Sequence, residues 1–105
     1  MWLPIALLSV FANSTIAAPS FPIVMSMEYC YEDSPCSDAE WTFFEDGRME
    51  DDFGGEGSWR IVGRQFMLMY DHGSEYRGIL DRASGCMDGR NAHADGREGT
   101  FTACL

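Results

Sequence analysis

Six carboxylates fall within twelve residues of this chain: Glu45, Asp46, Glu50, Asp51, Asp52 and Glu56, relieved only by Arg48. Such side chains can hold a divalent cation, meet a basic partner, or act as general acid and base on a sugar. The spacing fails the Asp-x-Asp-x-Asp-Gly pattern of a calcium loop. On an extended strand Glu50 and Asp52 share one face while Asp51 points to the other, so the acids cannot all converge. An open turn offers nothing to desolvate a carboxyl, which removes the raised pKa that glycosidase chemistry requires. Three readings remain, in order of preference: a solvated strand edge whose charge blocks aggregation, a patch for a basic protein formed by Glu45, Glu50, Asp51, Asp52 and Glu56, and last a divalent-cation site.

Asp71, His72 and Ser74 lie close in sequence, but a catalytic triad needs convergence in space and an oxyanion hole, and a turn explains them more simply. His93 stands far from His72 along the chain, and no catalytic group, metal or cofactor is expected. The four cysteines, Cys30, Cys36, Cys86 and Cys104, match neither a zinc ribbon nor a Cys-x-x-Cys redox pair. Their even number suits two disulfides in an oxidising compartment. The favoured pairing is Cys30–Cys36 across a short Pro-containing loop with Cys86–Cys104 across the final hairpin. The runner-up is Cys30–Cys104 with Cys36–Cys86, which would staple the first strand to the last.

Leu3 to Ala12 is a short apolar run followed by polar Asn13, Ser14 and Thr15 and small Ala17 and Ala18. That layout predicts a signal peptide over 1–17, cut after Ala17 or, second, after Ser14, although no Lys or Arg precedes the run. The run is too short to span a bilayer, which takes roughly 20 apolar residues. Removing 1–17 leaves 88 of the 105 residues as one secreted or periplasmic domain, 18–105, small enough to need covalent staples. Seventeen carboxylates against seven arginines, with no lysine, give a net charge of −10. That balance disfavours nucleic acid and anionic membranes and favours cationic partners or plain solubility.

The elements that must position these residues are strands. Short aromatic and β-branched runs alternate with Gly and Asp-Gly pairs, and no stretch keeps a 3.6-residue period. Strands are expected at Met25–Tyr31, Trp41–Glu45, Arg48–Phe53, Ser58–Val62, Phe66–Tyr70, Glu75–Leu80, Gly85–Asp88 and Gly99–Cys104. Asp46-Gly47 reads as a two-residue hairpin turn, and the polar run Gly89 to Arg97 as one longer loop. Trp41, Phe43, Trp59, Phe66, Tyr70, Tyr76 and Phe101 are the candidate core. Met67 and Met69 share one face of their strand and Leu68 takes the other, which suggests cover on both sides. Residues 46–59 (DGRMEDDFGGEGSW) and 88–101 (DGRNAHADGREGTF) share Asp, Gly, Arg, Gly, Glu and Gly at an offset of 42. Two copies cannot build a solenoid, so the repeat marks two halves of one meander. The fold class is all-β: seven or eight short strands in an antiparallel up-and-down meander that closes into a small barrel or flattened sandwich.

The segments WTFFEDGR, EGSW, FMLMY, EYRGIL, SGCM and EGTFTA resemble a diffuse group of small exported bacterial β-meander proteins with recurring Gly-x-Trp and Asp-Gly motifs. Their layout is similar to lipocalin- and avidin-like barrels. The resemblance covers Trp41 to Ala103 and implies a fold without an activity; Phe101 replaces the usual Trp, and the Cys86 and Cys104 positions depart from the pattern. The functional expectation is a monomeric binding module without catalysis, engaged in protein interaction or inhibition. The alternative is a carrier of a small apolar ligand.

Overall fold

The computed structural model describes residues 20–105; the expected signal peptide lies outside the described residues. Eight strands follow one another in order: β1 (Ile23–Tyr31), β2 (Ser37–Phe43), β3 (Arg48–Asp51), β4 (Glu56–Val62), β5 (Gln65–Tyr70), β6 (Glu75–Asp81), β7 (Cys86–Ala92) and β8 (Glu98–Cys104). Each pairs antiparallel with the next, and β8 returns to β1 to close a barrel. Closure runs over six residue pairs from Ser26↔Cys104 to Tyr31↔Gly99. No open sheet edge remains between neighbours in the barrel.

Alternation along the strands sends one set of side chains inward. Trp41, Phe66, Met49 and Leu68 are the largest fully buried side chains. Trp41 sits at the centre, with ring centroids of Tyr76 at 5.1 Å, Phe43 and Phe101 at 5.7 Å and Phe66 at 5.8 Å. Six of the seven expected core aromatics are buried, and Trp59 is half-buried. Four methionines, Met25, Met27, Met49 and Met87, complete the core, filling gaps between rigid rings with an adaptable side chain. The middle of the barrel is therefore packed. Phe66, Leu68 and Tyr70 point inward from β5, while Met69 is 45 % exposed, so the outer face of that strand is open rather than covered.

Four of the seven hairpins share one loop. In each, the N–H of the first residue donates to the carbonyl of the fifth, and the N–H of a glycine in fourth place donates to the carbonyl of the first. The loops are Phe44–Arg48, Asp51–Gly55, Tyr70–Ser74 and His93–Arg97. The glycines, Gly47, Gly54, Gly73 and Gly96, have φ of 94°, 91°, 109° and 99°. This is the three-residue hairpin built on a type I turn with a left-handed closing residue. The expected two-residue turn at Asp46-Gly47 is thus corrected: only Gly47 takes positive φ, and Glu45 and Asp46 occupy the type I positions.

Gly89 is not a turn either. β7 runs through it to Ala92, so the long loop expected over 89–97 shrinks to His93–Arg97. Gly89 lies directly opposite Gly78 on β6. A Cβ on Gly89 would stand 2.0 Å from the Arg77 carbonyl oxygen, and one on Gly78 would stand 2.9 Å from the Phe101 ring. Gly78 makes room for that ring, and Gly89 lets the two strands approach beside it. The extension of β7 also puts Cys86 opposite Cys104 in the β7–β8 ladder. The disulfides are Cys30–Cys36 and Cys86–Cys104.

Candidate functional site

Odd and even hairpins gather at opposite ends of the barrel. The loops after β1, β3, β5 and β7 form one end; the loops after β2, β4 and β6, with Phe21 and Leu105, form the other. Their chemistries differ. The first end carries Glu32, Asp33, Asp51, Asp52, Asp71 and Asp95 in its loops against Arg97 alone. The second has Glu45, Asp46 and Asp81 balanced by Arg48, Arg64 and Arg82.

A cup of about 190 Å³ opens at the first end. Its wall is Tyr29, Tyr31, Tyr70, Tyr76, His72 and His93, with Asp51, Phe53 and Arg97 at the margin. Register explains the convergence: Tyr29 and Tyr31 lie at the end of β1, Tyr70 at the end of β5 and Tyr76 at the start of β6, while His72 and His93 stand in the loops at the same end. A buried chain of hydrogen bonds anchors the cup. The Trp41 indole N–H donates to the Tyr70 hydroxyl at 3.0 Å, which donates to Asp51 Oδ2 at 2.9 Å. Asp51 Oδ1 accepts the N–H groups of Phe53 at 2.9 Å and Gly55 at 2.7 Å. Burial pushes the Tyr31, Tyr70 and Tyr76 phenols above their ordinary range, so these three phenols stay neutral.

The two histidines, distant in sequence, stand with ring centroids 5.8 Å apart. His72 Nε2 and Ser74 Oγ are hydrogen-bonded at 2.9 Å. Ser74 Oγ also accepts the Ala94 N–H at 3.1 Å, tying the β5–β6 loop to the β7–β8 loop. Ser74 is buried, and no carboxylate among the described residues orients the other nitrogen of His72. The pair works as a strut. Among the described residues the one three-donor cluster close enough for a metal is Glu28, Cys30 and Cys36, and both of its sulfurs are spent in a disulfide. Asn91, 3 % exposed and directly across the ladder from Tyr76, has neither amide atom hydrogen-bonded within the described residues.

The acidic hairpin divides between the two ends. Glu45 lies in the β2–β3 loop, and Glu50 faces Glu56 across β3–β4 on the outer surface, with Arg48 Nη1 3.8 Å from Glu50. Asp51 points to the cup. Asp52 accepts the Glu40 N–H at 3.0 Å and joins Glu28, Asp38 and Glu40 along a shallow outer groove. The sequence did not single out that groove, because its acids come from three separate segments. Asp46 and Asp95 each sit beside an arginine, Arg48 and Arg97, that holds their carboxyls below the usual carboxylate range.

At the second end a larger cup, about 380 Å³, is almost wholly apolar. Phe43, Trp59, Phe66, Leu80 and Met87 form its floor and walls, and Phe21 stacks on Trp59 at 6.0 Å. Its rim carries exposed Phe21, Ile61 and Leu105, with Leu105 74 % exposed, and Val62 beside them at 63 %. The rim is pre-set by three bonds. Trp59 Nε1 donates to the Phe44 carbonyl at 3.0 Å, Arg82 Nη2 to Gly63 at 2.8 Å, and Leu105 N–H to Gly85 at 3.0 Å. Phe43, Trp59 and Phe66 were legible as core; that they end as the floor of an open cup was not.

No protein-family model matches this chain, and no curated protein matches it. The small disulfide-bonded barrel and its two ends are therefore the whole basis for a functional reading.

Proposed function

We propose that this protein is an exported binding module, without catalysis, that docks a partner protein through its apolar end. Two disulfides in so small a barrel support an oxidising destination, secreted or periplasmic. The observation that carries the reading is the union of a preformed 380 Å³ apolar cup with a raised rim of exposed Phe21, Ile61, Val62 and Leu105. A carrier would hide its ligand in a hollow interior; here the interior is filled by Trp41 and its ring neighbours. An interface anchor needs a pocket for one bulky side chain and an apolar surround that excludes water. This end has both.

The test uses peptides that each present one Trp, Phe or Leu in a neutral flank, titrated against the disulfide-bonded protein with Trp59 fluorescence as the signal. Binding that falls at least about tenfold in Ile61→Asp and Leu105→Asp, both at the solvent-exposed rim, is the expected result. Peptides that bind both variants as they bind the parent would overturn it. Saturable uptake of a free apolar dye with no response to any peptide would return the carrier in its place.

A further inference from the structure

We propose that the tyrosine-lined cup at the opposite end is a second binding site, for a compact organic cation of the methylated ammonium type. Three observations converge. The wall is aromatic on most sides, and the negative faces of such rings attract a cation without hydrogen bonds. One such contact already exists within the chain: the Arg97 guanidinium lies 4.5 Å from the centre of the Tyr31 ring. Asp51, the carboxylate on the wall, supplies charge but has little capacity left for a new donor. Three N–H and O–H groups already fill most of its roughly four acceptor positions. An ordinary ammonium would bring three N–H groups to at most one open acceptor position on Asp51. A quaternary, fully methylated one has none to satisfy.

The charge balance sets the sign. Arg97 is engaged by Asp95 at 3.0 Å and faces Asp33 at 4.0 Å, so two carboxylates flank its guanidinium, and Asp51 lines the same cup. The surrounding loops carry five negative charges in excess, which raises the local concentration of cations. A volume of about 190 Å³ falls below the roughly 300 Å³ at which drug-sized pockets begin, so the cup fits a headgroup rather than a large ligand. Arg97 then occupies the position the ligand takes, as a tethered competitor. The site is independent of the apolar end and stands or falls apart from it.

Calorimetric titration with choline, set against 3,3-dimethylbutan-1-ol, tests the idea, because the alcohol has the same shape and no charge. Choline should bind at least about tenfold more tightly than the alcohol. Arg97→Gln should tighten choline several-fold by vacating the Tyr31 face, and Tyr31→Leu should weaken it about tenfold. A peptide bearing trimethyllysine, run beside choline, separates a side-chain source from a free small molecule; preference for either keeps the site. Equal binding of choline and the alcohol, no binding of either, or weaker choline binding by Arg97→Gln overturns the proposal. Arg97 is a surface residue of a hairpin loop, so that arm stands even if Tyr31→Leu fails to fold.

Discussion

Replacing Tyr70 with Phe removes one oxygen atom and breaks two hydrogen bonds at once. The Trp41 indole N–H, on a residue with no exposed surface, loses its acceptor, and Asp51 Oδ2 loses its O–H donor. A buried donor left without a partner costs about 1–3 kcal/mol. Loss of a hydrogen bond to a carboxylate adds about 1–2 kcal/mol, less than its full strength because Asp51 is only half-buried and water can replace the donor. The expected loss is therefore about 2–5 kcal/mol. A domain of this size holds roughly 5–10 kcal/mol in total, and each kcal/mol moves its midpoint by about 4–8 °C. Tyr70→Phe should thus melt at least about 8 °C below the parent. Urea unfolding followed by tryptophan fluorescence gives the number, provided the m-value is unchanged. Tyr29→Phe is the control, since no hydrogen bond of the Tyr29 hydroxyl appears among the described residues; it should cost under about 0.5 kcal/mol. A loss below about 1 kcal/mol in Tyr70→Phe, or one matched by Tyr29→Phe, would refute the buried chain as an anchor of the cup.

Two further outcomes follow from the same geometry. The Cys86–Cys104 bridge closes a separation of 18 residues and Cys30–Cys36 one of 6, so deleting the first by paired Ala substitution should cost about 1 kcal/mol more than deleting the second, read as urea midpoints. Stability should be flat on the alkaline side until about pH 10 and then fall, because burial raises Tyr70 and Tyr76 above the value they take when unfolded. In that range the unfolded chain has released the two protons and the folded one keeps them. The slope is at most about 1.4 kcal/mol per pH unit for each phenol, and denaturant titrations of Tyr76→Phe should show it reduced.

The fold was legible because its signals are local. A glycine where a hairpin needs positive φ, and aromatics at alternate positions, declare themselves within a few residues, as at Gly47, Gly54, Trp41 and Phe43. The loop expected to begin at Gly89 fails for the same reason. Asp88-Gly89 is spelled like Asp46-Gly47, but Gly89 answers to a contact across the sheet, where the Arg77 carbonyl and the Gly78 Cα leave no space for a Cβ. The second half of the repeat is the half with a shared role. Gly54 and Gly96 close equivalent loops, Glu56 and Glu98 open β4 and β8, and Trp59 and Phe101 point inward. The cups were not legible. His72 meets His93, and Asp51 meets Tyr70, only once the register of eight strands brings alternate loops to one end. The acidic run drew attention as a patch; in the fold Asp51 and Asp52 hold backbone N–H groups and Glu45 departs to the far end.

The shared hairpin loop has a consequence for how such a molecule can change. Each copy is closed by backbone bonds among its own five residues and by one glycine, so that closure does not depend on the side chains in second and third place. Three of the four copies sit at the tyrosine-lined end, presenting Asp52-Phe53, Asp71-His72 and Ala94-Asp95 ahead of their glycines. Those positions behave as interchangeable cassettes. Drift or selection can rewrite the recognition surface there by two-residue steps, while the barrel underneath keeps its register and its core.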